Sequence, residues 1–302
     1  MQRLLIVYNP RSSRFAEVSK DVIERSRELT GYIIGKYEVA PTNLEDNISK
    51  LSKILKDDDL VLSAGGDATG IIAVNAILKS NKDVRLAVLP YGNFNDLSRT
   101  LRTNTFDDVF LSKTSVRKFY PLEVYINDKF FRYATCYTTI GMTAMAVSIY
   151  DQPEMRKKLK KNFGRKISSY TELSKWYFKN RHRHIFLPEF KLNGVLMSKK
   201  TSDYAAVNGR SMARVMKGGE DYRDPKYFRS ETDRLTYFYR LVKLMSKSVL
   251  SRIPGSSTSG DVLEFTNPSS VALQAEGESQ VFENVKKIEI KKGKKCLKVI
   301  EN

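Results

Sequence analysis

The feature that most constrains the fold is a regular alternation of short apolar runs with helical patterns between Arg3 and about Arg102. Apolar runs at residues 4–8, 32–39, 60–62 and 86–89 are separated by helical patterns at 16–29, 44–55 and 71–78. This alternation is typical of βαβ units, whose strands lie side by side in a mostly parallel sheet. The first part of the chain is therefore predicted to be an α/β domain.

The pattern changes at about Phe119, where apolar residues begin to alternate singly with polar ones, as at Leu122, Val124 and Ile126. A period of two predicts strands with one buried face. We therefore predict two domains: an α/β domain over 1–118 and a β-rich domain over 119–284 that contains a basic helical insertion at about 153–183. The C-terminal residues, 285–302, are expected to pack back on the first domain.

Charge and cysteine content narrow the class of protein. The 302 residues carry a formal net charge of +18, which favours nucleic acid, anionic lipid or polyphosphate ligands without choosing among them. Cys136 and Cys296 lie far apart and the chain has two histidines, so neither a disulfide framework nor a zinc site is indicated. We expect a reducing, cytoplasmic location. No uncharged stretch reaches the roughly 20 apolar residues of a spanning helix, so any membrane contact is expected to be peripheral.

The most specific motif is Gly-Gly-Asp-Ala-Thr at residues 65–69, between an apolar strand and a helix. Two glycines let the backbone approach a phosphate closely, and the helix N-terminus offers unpaired N–H groups and a positive dipole. The alternative interpretation is an ordinary strand-to-helix turn in which Asp67 caps the helix.

Two further polar clusters follow strands of the same predicted sheet. Residues 90–96, with the sequence Pro-Tyr-Gly-Asn-Phe-Asn-Asp, follow the fourth strand, and residues 9–14, with two arginines, follow the first. Each on its own is a common turn, in which Asn95 or Asp96 would cap a helix. Because ligands of such sheets bind at the carboxyl ends of the strands, the three clusters together favour a nucleotide site.

The order of these motifs resembles that of the diacylglycerol-kinase catalytic family, which includes bacterial lipid kinases and sphingosine kinases. The resemblance continues through Ile140-Gly141-Met142-Thr143-Ala144, Asn208-Gly209 with Gly218-Gly219, and Glu276-Gly277-Glu278. It implies a first domain similar to NAD kinase and phosphofructokinase, a β-sandwich second domain, and ATP bound in the cleft between them. The activity that it implies is Mg²⁺-dependent transfer of the ATP γ-phosphate to the hydroxyl of a lipid such as diacylglycerol.

The resemblance also implies roles for individual residues. Glu278 would be the general base, and a magnesium site would involve Asp233 with the carbonyls of Ser230 and Leu235. Glu123 and Glu276 stand where the family usually has aspartate, and both would serve nucleotide-bound magnesium. The residues implied in nucleotide binding follow the first four strands: Asn9, Pro10, Arg11, Ser12, Ser13, Thr42, Gly65, Gly66, Asp67, Ala68, Thr69, Gly70, Ile71, Ile72, Gly92, Asn93, Asn95 and Asp96.

The sequence departs from the family pattern at four positions: Ala68, Asn93, Thr143 and Arg234. Alanine at position 68 would be strained if the loop required positive φ. The departures leave open a second function, a non-catalytic protein that binds nucleotide or lipid. A third alternative, a nucleic-acid-binding protein, is motivated by charge alone. No nucleic-acid partner is expected, because no familiar motif for one accompanies the basic runs.

The expected lipid substrate lies in a membrane, so some surface of the protein must reach an anionic bilayer. Residues 153–183 combine lysines and arginines with apolar side chains at helical spacing and an aromatic cluster at 176–178. We expect this segment to dock at the membrane. Packing of its apolar stripe on the second domain is the alternative. Which lipid accepts the phosphate, and the oligomeric state, are open at this point.

Overall fold

A computed structural model describes residues 1–92, 95–102, 105–111, 114–150, 187–197, 201–209, 211–212, 216–217, 226–231 and 260–301. The basic segment at 153–183 and residues Asn93, Gly218, Gly219, Asp233, Arg234 and Leu235 lie outside the described residues.

The first domain is built on six strands in the order β2-β1-β3-β4-β17-β5. Its first four strands are parallel, as the βαβ pattern predicts. Their bounds are β1 Gln2–Tyr8, β2 Tyr32–Glu38, β3 Leu60–Gly65 and β4 Arg85–Pro90. The sheet is completed by β5, Ser115–Phe119, and by β17, Leu297–Glu301, at the C-terminal end of the chain. β17 is parallel to β4 and antiparallel to β5.

Helices cover both faces of this sheet. One face packs on α1, Phe15–Val18, which continues as a π-helical turn Ser19–Glu24 and a 3-10 turn Arg25–Glu28, and on α5, Phe106–Phe110. The other packs on α2, Leu44–Ile54, and α3, Asp67–Ser80. A short α4, Asp96–Leu101, follows β4. Strands such as β3, whose six residues are all buried, are apolar because helices exclude water from both of their sides.

The second domain is rich in antiparallel strands, and the main path of its sheet runs β14-β11-β8-β15-β16-β6-β7, with β9 and β10 attached through β15. One helix, α6, is Met142–Tyr150. The strand bounds are β6 Leu122–Ile126, β7 Lys129–Ala134, β8 Tyr137–Gly141, β9 Phe190–Leu192, β10 Val195–Leu196, β11 Thr201–Val207, β14 Lys226–Glu231, β15 Gly260–Ala275 and β16 Glu278–Lys292, with a separate pair β12 Ser211–Met212 and β13 Met216–Lys217.

The predicted fold class is confirmed: an α/β domain with a mostly parallel sheet is followed by an antiparallel β-rich region. Of the C-terminal residues expected to return to the first domain, β17 lies in the first sheet, whereas β16 extends through Lys292 in the second. β16 stays there because it pairs with β6 as far as Leu122. The return is therefore confined to the last few residues.

The two domains share part of one core. Tyr133, Cys136 and Tyr137 of the second domain pack in the same buried cluster as the apolar residues of α2 and α3. No helix among the described residues is long and apolar enough to cross a membrane.

Candidate functional site

The three motif loops meet at one edge of the first sheet. They follow β1, β3 and β4, which are adjacent and parallel, so their carboxyl ends lie together. Hydrogen bonds join the loops: Arg14 Nη1 donates to the Pro90 carbonyl at 3.0 Å, and the Tyr91 N–H donates to the Gly65 carbonyl at 3.1 Å. The clusters that the sequence placed at one edge are thus in contact.

The glycine motif forms a tight connection from β3 into α3. A Cβ at Gly92 would lie 2.5 Å from the Cα of Gly66, and one at Gly65 would lie 2.5 Å from Thr69 Oγ1. α3 has Gly66 as its N-cap, and no side chain caps it. The first N–H groups of this 14-residue helix lie at a partly exposed turn, in which Ala68 is exposed, and this arrangement suits a phosphate.

The departure at Ala68 does not strain this loop. Ala68 lies in the first turn of α3, and it is not among the non-glycine residues with positive φ. Alanine is the best helix former, so the position accepts it. The strain that we considered from sequence is absent because the helix begins at Asp67, earlier than the predicted start at residue 71.

Asp67 holds two motif loops together. Its Oδ2 accepts the N–H of Asn95 and its Oδ1 accepts the N–H of Leu97, each at 3.0 Å. These N–H groups lie at the start of α4, so Asp67 caps α4 and not α3, the helix to which it belongs. Burial raises the pKa of Asp67, while the two N–H donors act in the opposite direction.

The loop before α4 is closed by Asn95, which has φ 56°. Its side-chain oxygen accepts the Gly92 N–H at 2.7 Å, and its amide donates to the Pro90 carbonyl at 3.1 Å. Asp96 is buried and pairs with Arg99. The Asn95 side chain therefore holds together the two ends of this loop.

The loop after β1 is also organised by its own side chains. Asn9 Oδ1 accepts the N–H of Arg11 at 3.0 Å, and Ser12 Oγ accepts the N–H of Arg14 at 3.2 Å. Arg14 lies over the Tyr91 ring, 5.4 Å from its centroid. Pro10, Arg11 and Ser13 complete this loop, and Arg11 is exposed. A guanidinium at this edge is suited to a polyphosphate.

Other predicted nucleotide contacts lie further from the open edge. Thr42 follows β2 and its Oγ1 accepts from Asn47 Nδ2 at 3.1 Å. Gly70 packs against α4, because a Cβ there would lie 2.2 Å from Leu97 Cδ2. Ile71 and Ile72 are 0% and 2% exposed, so their side chains belong to the core. These two isoleucines offer a ligand no side-chain surface.

Glu278 begins β16 directly after a two-residue turn. Glu276 and Gly277 have φ of 53° and 91°, and Ala275 and Glu278 are paired across the turn. Positive φ at both turn residues is the type I′ hairpin geometry. A Cβ on Gly277 would have no atom within 4 Å, so glycine is used here for its backbone conformation in an open space.

Glu276 anchors this turn to the rest of the site. It is 4% exposed, its carboxylate accepts the Cys136 N–H, and its own N–H donates to the Tyr137 carbonyl at 3.2 Å. Burial raises the pKa of Glu276 to about 8; the Cys136 N–H lowers it, and the nearby charge of Asp67 raises it. Its Oε2 has no hydrogen-bond partner among the described residues. Glu276 thus fixes the turn that precedes Glu278 to residues 136–137, where β7 leads into β8.

Glu123 is held inside the second domain. Its Oε2 accepts from Tyr125 Oη at 2.8 Å and its Oε1 accepts the Lys294 N–H at 3.1 Å. Both oxygens are therefore engaged away from the three motif loops. The expected magnesium site shows only Ser230, in β14, because Asp233 and Leu235 are outside the described residues. Across the described ranges no three His, Cys, Asp or Glu side chains group as metal ligands would.

Sequence reasoning missed Asp203. The carboxylate of Asp203, in β11, accepts the N–H of Thr143 at 2.6 Å at the start of α6. An acid is therefore present beside the position where the family pattern has aspartate and this chain has threonine. The sequence around Thr143 gives no sign of this carboxylate, because Asp203 lies 60 residues later in the chain.

Comparison with known proteins agrees with this geometry. Residues 3–118 match the model of the diacylglycerol kinase catalytic domain. A diacylglycerol kinase of Bacillus subtilis (strain 168) is 31% identical over 103 residues, and one of Staphylococcus haemolyticus (strain JCSC1435) is 33% identical over 99 residues. These matches cover 33% and 32% of this chain and 33% and 29% of the relatives, so they span about a third of each protein.

Solved structures show the fold over the whole chain. A putative diacylglycerol kinase from Bacillus anthracis str. Sterne has a TM-score of 0.66 at 16% identity, and a second structure of a diacylglycerol kinase from that strain has a TM-score of 0.64 at 16% identity. Both alignments cover 100% of this chain and 97% of the other. The match to the diacylglycerol kinase catalytic domain thus covers residues 3–118, which correspond to the first domain.

Proposed function

We propose that this protein is a lipid kinase that transfers the terminal phosphoryl group of ATP to the hydroxyl of a diacylglycerol-like lipid. The observation that supports it most strongly is the uncapped start of α3 at the edge where the three motif loops meet, because it offers backbone N–H groups to a phosphate. In the second domain, Glu276 fixes the turn that precedes Glu278 to residues 136–137.

In the proposed reaction the main task of the protein is to align the terminal phosphate of ATP with the lipid hydroxyl. The loop after β1 and the first turn of α3 bind the phosphates, and Gly66 and Gly92 let the backbone come close to them. Glu278 accepts the proton of the lipid hydroxyl while the hydroxyl oxygen forms a bond to the terminal phosphorus of ATP. The bond from that phosphorus to the bridging oxygen breaks, and ADP leaves with the electron pair.

Magnesium enters the proposal only as the ion that accompanies ATP. A divalent cation would neutralise the phosphate charge during transfer. Asp67 stands at the right edge of the sheet to face such an ion, but both of its oxygens already accept backbone N–H groups. We therefore assign no step to a metal ligand among the described residues.

The structure explains two of the departures from the family pattern that suggested a non-catalytic protein. Ala68 is an ordinary helical residue, and Asp203 supplies a carboxylate beside Thr143. Neither departure removes a group that the proposed transfer uses. We accordingly favour the enzyme over a protein that only binds nucleotide.

The proposal is tested by incubating the purified protein with radiolabelled ATP, Mg²⁺ and a panel of lipids in mixed micelles. We expect label in a lipid with a free hydroxyl on a glycerol backbone, and no label when that hydroxyl is acylated. Binding of ATP without label in any lipid of the panel would favour the binding protein. Salt-sensitive binding to RNA or DNA in place of lipid labelling would favour the third alternative.

A further inference from the structure

Asn75 joins the nucleotide-binding helix to the second domain. It lies in the middle of α3 and is 5% exposed. Its Oδ1 accepts the backbone N–H of Tyr133 at 3.0 Å, and its Nδ2 donates to the carbonyl of the same residue at 3.2 Å. A third bond, from Nδ2 to the Ile71 carbonyl at 3.0 Å, fixes the side chain against its own helix.

The contact takes the place of a neighbouring strand. Tyr133 lies in β7, which is the last strand on its side of the described sheet. In an antiparallel ladder the N–H and carbonyl of one residue point to the same side. Since both groups of Tyr133 bond to Asn75, they face away from β6, and the Asn75 amide pairs with them as another strand would. Two parallel bonds fix both distance and rotation.

The partners of Asn75 explain why a polar residue lies here. Asparagine is a weak helix former in a helix interior, and an apolar side chain at this position would deprive the N–H and the carbonyl of Tyr133 of these bonds. A second contact joins the domains at the preceding residue of β7, where Arg132 pairs with Glu45 of α2 at 2.8 Å. However, Glu45 is 56% exposed on its side chain, so the buried amide is the better-defined link.

We infer that Asn75 is a positioning residue, which sets the phosphate-binding start of α3 at a fixed distance from the domain that carries Glu278. The inference rests on the proposed function. α3 begins at the glycine motif, so a shift of the helix relative to β7 moves the bound phosphate relative to the base. A misplacement of about 1 Å can slow a reaction by roughly 100-fold. In the proposed site the phosphates of ATP bind only to loops of the first domain, so the affinity for ATP should be insensitive to Asn75.

The test measures kcat for lipid phosphorylation and, separately, the dissociation constant for ATP in Asn75→Leu. We expect kcat to fall about 10- to 100-fold while the ATP dissociation constant changes less than about two-fold. Asn75→Asp, which keeps an acceptor for the Tyr133 N–H and loses the donor to its carbonyl, should show a smaller fall. Asn75→Asp also tests the inference if Asn75→Leu does not fold.

Asn193→Gly is the matched control. Asn193 also joins distant segments with its amide, accepting the Val262 N–H at 2.9 Å and donating to Asp261 Oδ1 at 2.8 Å, but all of these residues lie in the second domain. Glycine tolerates the φ of 52° at this position. The kcat of Asn193→Gly should equal that of the wild type. An Asn75 variant with lower thermal stability and unchanged kcat would overturn the inference, as would a loss confined to ATP affinity.

Hydrogen exchange separates this inference from the proposed function. In Asn75→Leu the Tyr133 amide should exchange faster, whereas the amides of β7 that bond to β6 should keep their rates. This result holds whether or not the protein phosphorylates lipid. If wild-type protein labels no lipid, the proposed function fails while the link is still measurable. Unchanged exchange at Tyr133 would show that the link does not exist in solution.

Discussion

Asp67 shows how one residue of a motif can serve its neighbour. The sequence left open whether this aspartate meets a ligand or caps a helix, and the structure shows a cap, though of α4 and not of α3. The arrangement could not be predicted from sequence, because the capped N–H groups lie 28 and 30 residues away. What the sequence did predict was the edge of the sheet at which both loops lie.

Removing the Asp67 carboxylate should affect folding and nucleotide binding together. Asp67→Ala leaves the N–H groups of Asn95 and Leu97 without acceptors, and we expect a loss of about 1–3 kcal/mol in the free energy of unfolding. ATP binding should weaken with and without Mg²⁺, because the loop around Gly92 loses its support. Urea unfolding and calorimetric titration measure the two effects.

The control for Asp67 is Thr105→Ala, which removes the capping box of α5 on the other side of the sheet. It should cost about 1 kcal/mol and leave ATP binding unchanged. If Asp67→Ala weakens binding only in the presence of Mg²⁺, the carboxylate meets the ion directly and the cap is secondary.

Glu276 should make the stability of the protein depend on pH. Its folded pKa of about 8 lies above the ordinary value of 4.5. Between these values the unfolded carboxyl is ionised while the folded one keeps its proton, so the contribution of Glu276 to stability is full below about pH 4.5 and is lost as pH rises through about 8. Glu276→Gln lacks this titration and can still accept the Cys136 N–H.

Urea unfolding from about pH 5 to about pH 9 measures this effect in metal-free buffer. The free energy of unfolding of Glu276→Gln should rise relative to that of the wild type across this range. Glu283→Gln, on an exposed part of β16, should run parallel to the wild type. Parallel profiles for Glu276→Gln as well would show that Glu276 is ionised in the folded protein at neutral pH.

At the scale of elements, the local sequence pattern predicted the strands and helices whose burial it reflects. The four parallel strands and α2 lie within a few residues of their predicted bounds, because apolar runs and helical spacing reflect burial directly. The helix predicted at 71–78 extends back to Asp67, and its first turn, Asp67-Ala68-Thr69-Gly70, was missed because it has no large apolar residue to show a helical period. The 16–29 helix is regular only over Phe15–Val18 before π and 3-10 turns follow.

β17 is the element that local patterns could not place. Its partners, β4 and β5, lie about 200 residues earlier in the chain, and nothing in the sequence of residues 297–301 specifies them. We expected the C-terminal segment to return to the first domain but not that one strand would separate β4 from β5. The last residues are therefore part of the first core.

This placement predicts a large effect from a substitution near the C-terminus. Leu297 is 0% exposed in the first core, so Leu297→Ala should lower the free energy of unfolding by about 2–5 kcal/mol. Lys298→Ala, the next residue, loses an ion pair with Asp83 whose side chains are 41% and 55% exposed, and should change stability by about 1 kcal/mol at most. Chemical denaturation compares the two. Equal small effects would mean that β17 does not pair with β4 and β5 in solution.

The whole molecule joins an α/β domain, which carries the glycine motif, to a β-rich domain, which carries Glu278. The chain crosses between them after β5 and again before β17, and the Gly293 N–H donates to the Pro121 carbonyl at 2.7 Å where the crossings meet. Asn75 and Arg132 add side-chain contacts between the two domains. The sequence predicted both halves, but these contacts depend on three-dimensional packing.

The measurement that tests the central claim most directly is the rate of phosphate transfer to lipid by Glu278→Gln, with ATP binding measured on the same protein. We predict that the variant folds and binds ATP like the wild type and that turnover falls by about 10²- to 10⁴-fold, because the hydroxyl has lost its proton acceptor. Glu283→Gln on the same strand should retain wild-type turnover. Full turnover in Glu278→Gln would contradict the assignment of Glu278 as the base and the alignment of the two domains around it.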